Sequence, residues 1–228
     1  MWASISTSGN SIADSGLPAQ QRRRSYLPNK MTEEVQIEQH PLQPFVPEGA
    51  RLLMMGSFPP PRRRWRMDFF YPNFQNDMWR IFGLILHENP LTYLEPSLKT
   101  FHLEAIRSML TRHHIALYDA ACSVRRLDGN ASDARLEVVE PTDLESLLQQ
   151  MPECVAVAST GGRSAEVLSR QLGCARMPGV GASVEVTAFG RRLLFFRMPS
   201  SSRAYPMKLE RKAEAYRRML METGCLNV

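Results

Sequence analysis

Arg51-Leu52-Leu53-Met54-Met55-Gly56-Ser57-Phe58-Pro59-Pro60-Pro61 is the stretch on which the reading of this chain turns. Residues 51–55 form a short apolar run suited to a buried strand, and Gly56 stops it. Glycine there lets the backbone come close to a ligand, while the prolines stiffen a loop that can neither extend the strand nor begin a helix. Beyond that loop, Met78, Phe82 and Ile85 recur at helical spacing over Met78–His87. The first unit is therefore a buried strand, a long stiff loop and a helix.

The alternation continues outward. Phe101–Arg112 reads as a helix, Ile115–Tyr118 as a second short strand, and Thr142–Gln150 as a helix behind Pro141 with Glu145 near its first turn. Val155–Ala158 is a third strand, ending in Ser159-Thr160-Gly161-Gly162. A helix over Ser164–Leu172 follows, with Gly173 as its stop. Val184–Ala188 and Leu193–Arg197 flank Phe189-Gly190-Arg191-Arg192 as a hairpin-like pair. A last helix spans about Met207–Glu222, with Leu209, Ala213, Tyr216 and Leu220 facing inward. Strands separated by helices predict an α/β fold, a three-layer α/β/α sandwich on a mainly parallel central sheet of four to five strands.

At 228 residues, 43% hydrophobic and 22% charged, the chain has material for one ordinary domain. Residues 1–30 are rich in Ser, Ala, Gln and Arg without apolar periodicity, so residues 1–37 read as a disordered tail, or as the product of a start placed too early ahead of Met31, and 38–228 as the domain. No apolar stretch approaches the roughly 18–20 residues of a membrane span. Four cysteines make no CxxC pair, which fits a reducing cytoplasm. The net charge of +5 splits into +3 on residues 1–30 and +2 on the rest, so a polyanion site on the body must come from local clustering. Of five histidines only His113 and His114 are adjacent, and neighbours on a helix end do not share a face, so no metal is expected.

In parallel sheets ligands bind beyond the carboxyl ends of the strands, which directs attention to 56–76, 119–133 and 198–206. In the first, Arg62, Arg63, Arg64 and Arg66 surround Trp65 and suit phosphates, while Phe69, Phe70, Tyr71 and Phe74 either stack on a base or plug the core. In the second, Asp119 at a strand end either accepts ligand N–H groups or caps a turn. In the third, Met198-Pro199-Ser200-Ser201-Ser202-Arg203-Ala204-Tyr205 offers hydroxyls and backbone N–H groups near a helix start, which make an anion cradle or a plain connector. A non-catalytic nucleic-acid module would use the same residues. A Rossmann-like small-molecule enzyme would need GxGxxG, and Gly161-Gly162 does not supply it.

These loops, in this order, resemble the uracil-DNA glycosylase superfamily over roughly residues 45–222. Met198-Pro199-Ser200 through Arg203, with Lys208-Leu209-Glu210 and Glu214-Ala215-Tyr216-Arg217, looks like the second motif and closing helix of the mismatch-specific branch. Gly56-Ser57-Phe58-Pro59 echoes the first motif, and Asn76-x-x-Trp79 resembles a stretch of the same branch. Leu117-Tyr118-Asp119 with Ser123 is similar to the hypoxanthine-DNA glycosylase branch. The departures are specific. Phe58 stands where the superfamily usually places the Asn or Asp that positions water, Met198 where it places His or Asn, and Ser202 where many relatives carry an apolar wedge.

The resemblance implies a monofunctional DNA repair glycosylase that flips uracil or hypoxanthine out of DNA and hydrolyses its N-glycosidic bond, without cofactor or metal, as a monomer in the cytoplasm beside the nucleoid. It also implies the roles. Asn76 and Ser57 are the expected catalytic residues, and Gly56, Phe58, Tyr71, Asp119 and Met198 the expected contacts to the base. Arg62, Arg63, Arg64, Ser200, Ser201, Ser202, Arg203 and Tyr205 are the expected contacts to DNA. A catalytically inactive lesion-binding module of the same fold is the alternative.

Overall fold

The computed structural model describes residues 36–127 and 136–227. The predicted tail lies outside the described residues up to residue 35, and so do residues 128–135 of the second candidate loop. The central sheet has five strands, β2 (Leu52–Gly56), β5 (Ile115–Asp119), β8 (Ala156–Ser159), β9 (Ala182–Ala188) and β10 (Arg191–Arg197), in the spatial order β5-β2-β8-β10-β9. Strands β5, β2, β8 and β10 run parallel, and β9 closes one edge antiparallel to β10. Strand β2 is buried along its length, as is β5, because helices cover the sheet. The predicted sandwich on a mainly parallel sheet is the observed architecture.

The connections explain the layers. From β2 the chain passes through helices α1 (Met78–His87) and α2 (Leu103–Arg112) to β5 on one side. It then crosses through α3 (Leu144–Gln149) to β8 on the other side, and through α4 (Gly162–Gln171) to the hairpin of β9 and β10. Right-handed crossovers in opposite directions put the two helix pairs on opposite faces and leave a crevice between the carboxyl ends of β2 and β8. The hairpin turns at Phe189 and Gly190, both at positive φ (52° and 72°), the combination a two-residue hairpin turn requires.

Two predicted features come out differently. Residues 119–133, read as an open post-strand loop, hold strand β6 (Ala121–Arg126), which pairs antiparallel with β1 (Ile37–Gln39) and β7 (Leu136–Pro141) in a separate three-stranded sheet. The sequence Ala-Cys-Ser-Val-Arg-Arg shows no apolar alternation because two buried positions are polar, Ser123 and Arg126, the latter satisfied by Glu38 (2.8 Å) and by the Pro59 carbonyl (2.6 Å). The helix expected from Thr142 starts later, at Leu144, because the Asp143 carboxylate caps it by accepting the Ser146 N–H (3.0 Å). Short strands β3 (Leu94–Glu95) and β4 (Thr100–Phe101) form a third pairing, which delays α2 to Leu103.

Helix α5 (Leu209–Glu222) packs on α1 and fixes the loops at the carboxyl edge. Tyr216, fully buried, donates its hydroxyl to the Pro199 carbonyl (3.0 Å). Lys212, also buried, donates to the Asp77 carboxylate (3.2 Å) and to the Ser202 carbonyl (2.8 Å). Removing one partner of a buried, hydrogen-bonded charge pair leaves the other charge uncompensated. Lys212→Ala is expected to lower the unfolding free energy by about 3 kcal/mol in a denaturant titration, whereas Arg203→Ala, which removes a half-exposed partner of the same carboxylate, costs less than about 1 kcal/mol.

Candidate active site

A cleft of about 670 Å³ opens at the carboxyl edge of the parallel strands. Its walls come from segments far apart in sequence, namely Gly56–Pro60 from the end of β2, Tyr71–Asn73 and Asn76 before α1, Asp119 at the end of β5, Thr160 after β8, and Ser200–Ser202 and Ala204–Pro206 between β10 and α5. All three segments singled out in the sequence therefore contribute to one cavity. Thr160 and Gly162 were not among the predicted residues. The strand-end rule, applied to β8 as to the others, would have found them.

The floor is built on a close approach. A Cβ on Gly56 would sit 2.3 Å from Asp119 Oδ1, so only glycine leaves room for the carboxylate beside β2. The other oxygen, Oδ2, lies 2.9 Å from His40 Nε2, and the His40 side chain is 2% exposed. Asp119 is neither a helix cap nor a solvent group. His40 was missed in the sequence, where it stands 79 positions from its partner with no local pattern around it. Phe58 meets the His40 ring edge-on at 5.3 Å and forms a small apolar cluster with Ala121, Val124 and Leu136. Its place in the cleft wall is thus also a place in the packing against the second sheet, where Arg126 lies over its ring.

Tyr71 holds a left-handed backbone (φ 50°), which is costly for a residue with a Cβ, on the order of 1–3 kcal/mol. The surroundings fix it there. Its hydroxyl bonds Thr160 Oγ1 (2.9 Å), itself directed at the Met55 carbonyl (3.3 Å), and its ring stands edge-to-face on the buried Trp79 (5.9 Å). Of the four loop aromatics, Tyr71 is the one that lines the cleft. Phe69 and Phe70 are buried in the core, and Phe74 packs against Phe101 and Arg80. Burial, the Cys122 thiol and the Asp119 carboxylate keep the Tyr118 hydroxyl protonated well above its usual range. That hydroxyl is not a base.

Asn76 combines two properties. Its Oδ1 accepts the Met78 N–H (2.9 Å), the first of α1, from the position before the N-cap Asp77, and the residue also lines the cleft. The backbone around it is locked to the opposite wall. Asp77 N–H donates to the Ser201 carbonyl (2.8 Å), Asn76 bridges Ser202, and the Asp77 carboxylate accepts from Lys212 and Arg203 (3.0 Å). Ser57, Phe58, Ser200, Ser201, Ser202 and Tyr205 line the cleft with it.

Of the remaining predicted residues, Arg64 lines the cleft and Met198, Arg62, Arg63 and Arg203 do not. Met198 is buried in the core, its N–H on the Ser159 carbonyl (2.9 Å). Arg203 faces Asp77 rather than the cavity. Arg62–Arg64 forms a single exposed 3-10 turn in which Arg64 reaches the cleft, while Arg62 pairs with Asp68 and covers Trp65 at 4.2 Å. Among the described residues no group of three or more His, Cys, Asp or Glu side chains is placed to hold a metal ion, and no helix is long and apolar enough to cross a membrane.

Fold and cleft together define an α/β protein with a pocket at the carboxyl edge of a parallel sheet. The fold is similar to that in the solution structure of a protein from Methanosarcina acetivorans described as a "putative Uracil DNA glycosylase", with a TM-score of 0.54 and 21% identity over 82% of this chain and 99% of the other. Neither a family model nor a curated protein matches the chain.

Gly56→Ala tests the close approach. The added methyl group must displace the Asp119 carboxylate from His40, which is expected to cost about 1–3 kcal/mol of stability by thermal or denaturant unfolding and to shift the His40 ring resonances in NMR spectra.

Proposed function

We propose that this chain is a monofunctional DNA glycosylase that removes a deaminated base, uracil or hypoxanthine, and leaves an abasic site. The observation that carries the proposal is the convergence of Tyr71, Asn76, Asp119 and the Ser200–Tyr205 loop on one cleft at the strand ends, in a fold shared with the Methanosarcina protein. A cleft of this size accommodates a nucleobase and its sugar, and a base inside a duplex reaches it only by flipping, at a cost of a few kcal/mol that is lowest for mispaired bases.

The chemistry asks for three things. The bond from C1′ to the base nitrogen breaks with its electron pair going to the base, so the sugar becomes oxocarbenium-like. Water supplies the hydroxide that joins C1′ and the proton that ends on the released base. In the proposal Asn76 orients that water, its Oδ1 keeping a second lone pair while the first holds Met78 N–H. Ser57 and the backbone from Gly56 to Phe58 meet the base edge with Asp119, and Tyr71 stacks on the ring. Ser200, Ser201 and Ser202 hold phosphates, Arg62, Arg63 and Arg64 add positive charge beside the cleft, and Tyr205, which lines the cleft, fills the space left by the base. Met198 acts from behind the wall, and Arg203 through Asp77. The protein acts alone, as a monomer on chromosomal DNA in the cytoplasm.

A second reading has its own support. Phe58 stands where the resembling superfamily usually carries its water-positioning Asn or Asp, and Met198 is sealed in the core, so a lesion binder without catalysis also fits this cleft.

Oligonucleotides carrying uracil, hypoxanthine or xanthine in single-stranded, paired and mispaired contexts, incubated with the protein and then treated with alkali, separate the two. Strand breaks at one lesion establish the glycosylase; tight, salt-dependent binding without breaks establishes the binder. Asn76→Ala is expected to abolish cleavage and, through loss of the bond to the Met78 N–H, to cost about 1 kcal/mol of stability. Asn76→Ser can still accept that N–H, so loss of cleavage at unchanged stability separates the water-orienting role from the structural one. Tyr71→Ala is expected to weaken lesion-DNA affinity by roughly 1–3 kcal/mol in a fluorescence anisotropy titration.

A further inference from the structure

The His40–Asp119 pair poses an electrostatic problem. An ionised carboxylate in the cleft wall repels a base that leaves as an anion, which raises the barrier to the proposed reaction. The hydrogen bonds of His40 bear on this directly. Its Nε2 lies 2.9 Å from Asp119 Oδ2, and its Nδ1 lies 2.9 Å from the Leu42 carbonyl oxygen. Oxygen acceptors thus flank both ring nitrogens. The Leu42 N–H also reaches the same Nδ1 and can donate to it, at 3.2 Å, farther than the carbonyl. A neutral imidazole with its proton on Nε2 donates to Asp119 and accepts the Leu42 N–H; a ring protonated on both nitrogens donates to Asp119 and to the nearer Leu42 carbonyl.

We infer that His40 is a positioning residue for the proposed reaction, which holds Asp119 Oδ1 toward the base edge as an acceptor for a ring N–H and carries the proton that makes the pair electrically neutral when the base departs. The inference rests on the proposed glycosylase reading and deepens it by defining the substrate class as bases that present an N–H on the edge facing Asp119, as uracil and hypoxanthine do. The surroundings suit the role. The ring is enclosed by Phe58, Phe70 and Tyr118 at centroid distances of 5.3, 6.3 and 4.7 Å, so water reaches the pair only from the Asp119 side, which lines the cleft. Asp119 is the one charged side chain hydrogen-bonded to His40 among the described residues. The other titratable or charged groups around the pair are the Tyr118 hydroxyl, held protonated by burial, the Tyr71 hydroxyl across Gly56, the Cys122 thiol, and Arg126, which lies over the far ring of Phe58 and is paired with Glu38. Gly56 belongs to the same device, since any side chain there would collide with the oxygen that faces the base.

Two substitutions separate orientation from charge. A glutamine amide at position 40 can donate to Asp119 Oδ2 but cannot take up a proton, whereas alanine does neither. On the base that the wild-type chain releases best, His40→Gln is expected to keep KM and the preference for that base over its N-methylated counterpart, in which the edge N–H is blocked. It is expected to lose kcat by on the order of tenfold to a hundredfold, together with the alkaline limb of the pH profile. His40→Ala is expected to lose the preference as well, and the same loss should appear in binding to a 2′-fluoro lesion oligonucleotide that resists cleavage. Retention of wild-type kcat, pH profile and selectivity in both variants would overturn the inference while leaving the glycosylase intact. Nitrogen-15 shifts of the His40 ring, measured at neutral pH without DNA, decide the protonation independently of any activity. Both nitrogens protonated supports the inference, and a singly protonated ring overturns it. If the wild-type chain cleaves no base, the glycosylase reading fails on its own, and the ring shifts still decide the protonation.

Discussion

Asp77 is the point on which both walls of the cleft depend. Its backbone N–H reaches Ser201 and its buried carboxylate receives Lys212 and Arg203, while Lys212 also bonds the Ser202 carbonyl. One residue thereby ties the loop before α1 to the loop before α5, over more than a hundred residues of chain. Desolvating a carboxylate and an ammonium together is expensive and is offset only when the geometry satisfies both. That same demand makes the arrangement specific. A loop displaced by an ångström would strand a charge, so Asn76 and the serine loop face each other in one geometry rather than a range of them.

The opposite end of the cleft follows the same logic with different chemistry. Glycine at position 56 permits a carboxylate to lie against the strand, and His40 holds that carboxylate from the second sheet. The three-stranded sheet of β1, β6 and β7 is therefore a support for the site, and Arg126 anchors it to the Pro59 carbonyl of the first cleft loop. Tyr71 completes the enclosure at some cost in backbone energy, held by Thr160 and Trp79. Buried ion pairs, a close glycine contact and a strained tyrosine all serve to hold fixed the loops that the sheet leaves at its edge.

This arrangement makes the departures from the resembling superfamily intelligible as packing. Phe58 and Met198 stand where the superfamily that the sequence resembles usually carries polar residues, and each is engaged with apolar neighbours, Phe58 in the cluster against β6 and Met198 in the main core. The polar groups that do face the cleft, Asn76, Asp119, Thr160 and the serines, come from neighbouring positions.

The sequence by itself determined the layers and the rim. Unbroken apolar runs at 52–55, 115–118 and 156–158, spaced by helical periodicity, can be satisfied only by a covered parallel sheet, and such a sheet presents its ligands at its carboxyl ends. Tyr71, Asn76, Asp119 and Ser200–Ser202 were legible for that reason. The tertiary structure alone decided which of the candidates meet and what holds them. His40 with Asp119, Asp77 with Lys212, Arg126 with Glu38 and the Pro59 carbonyl, and Tyr71 with Thr160 are each joined across 67 or more positions of chain. Such pairs leave no trace in local periodicity, because hydrogen bonds and ion pairs depend on positions in space that only the folded sheet brings together.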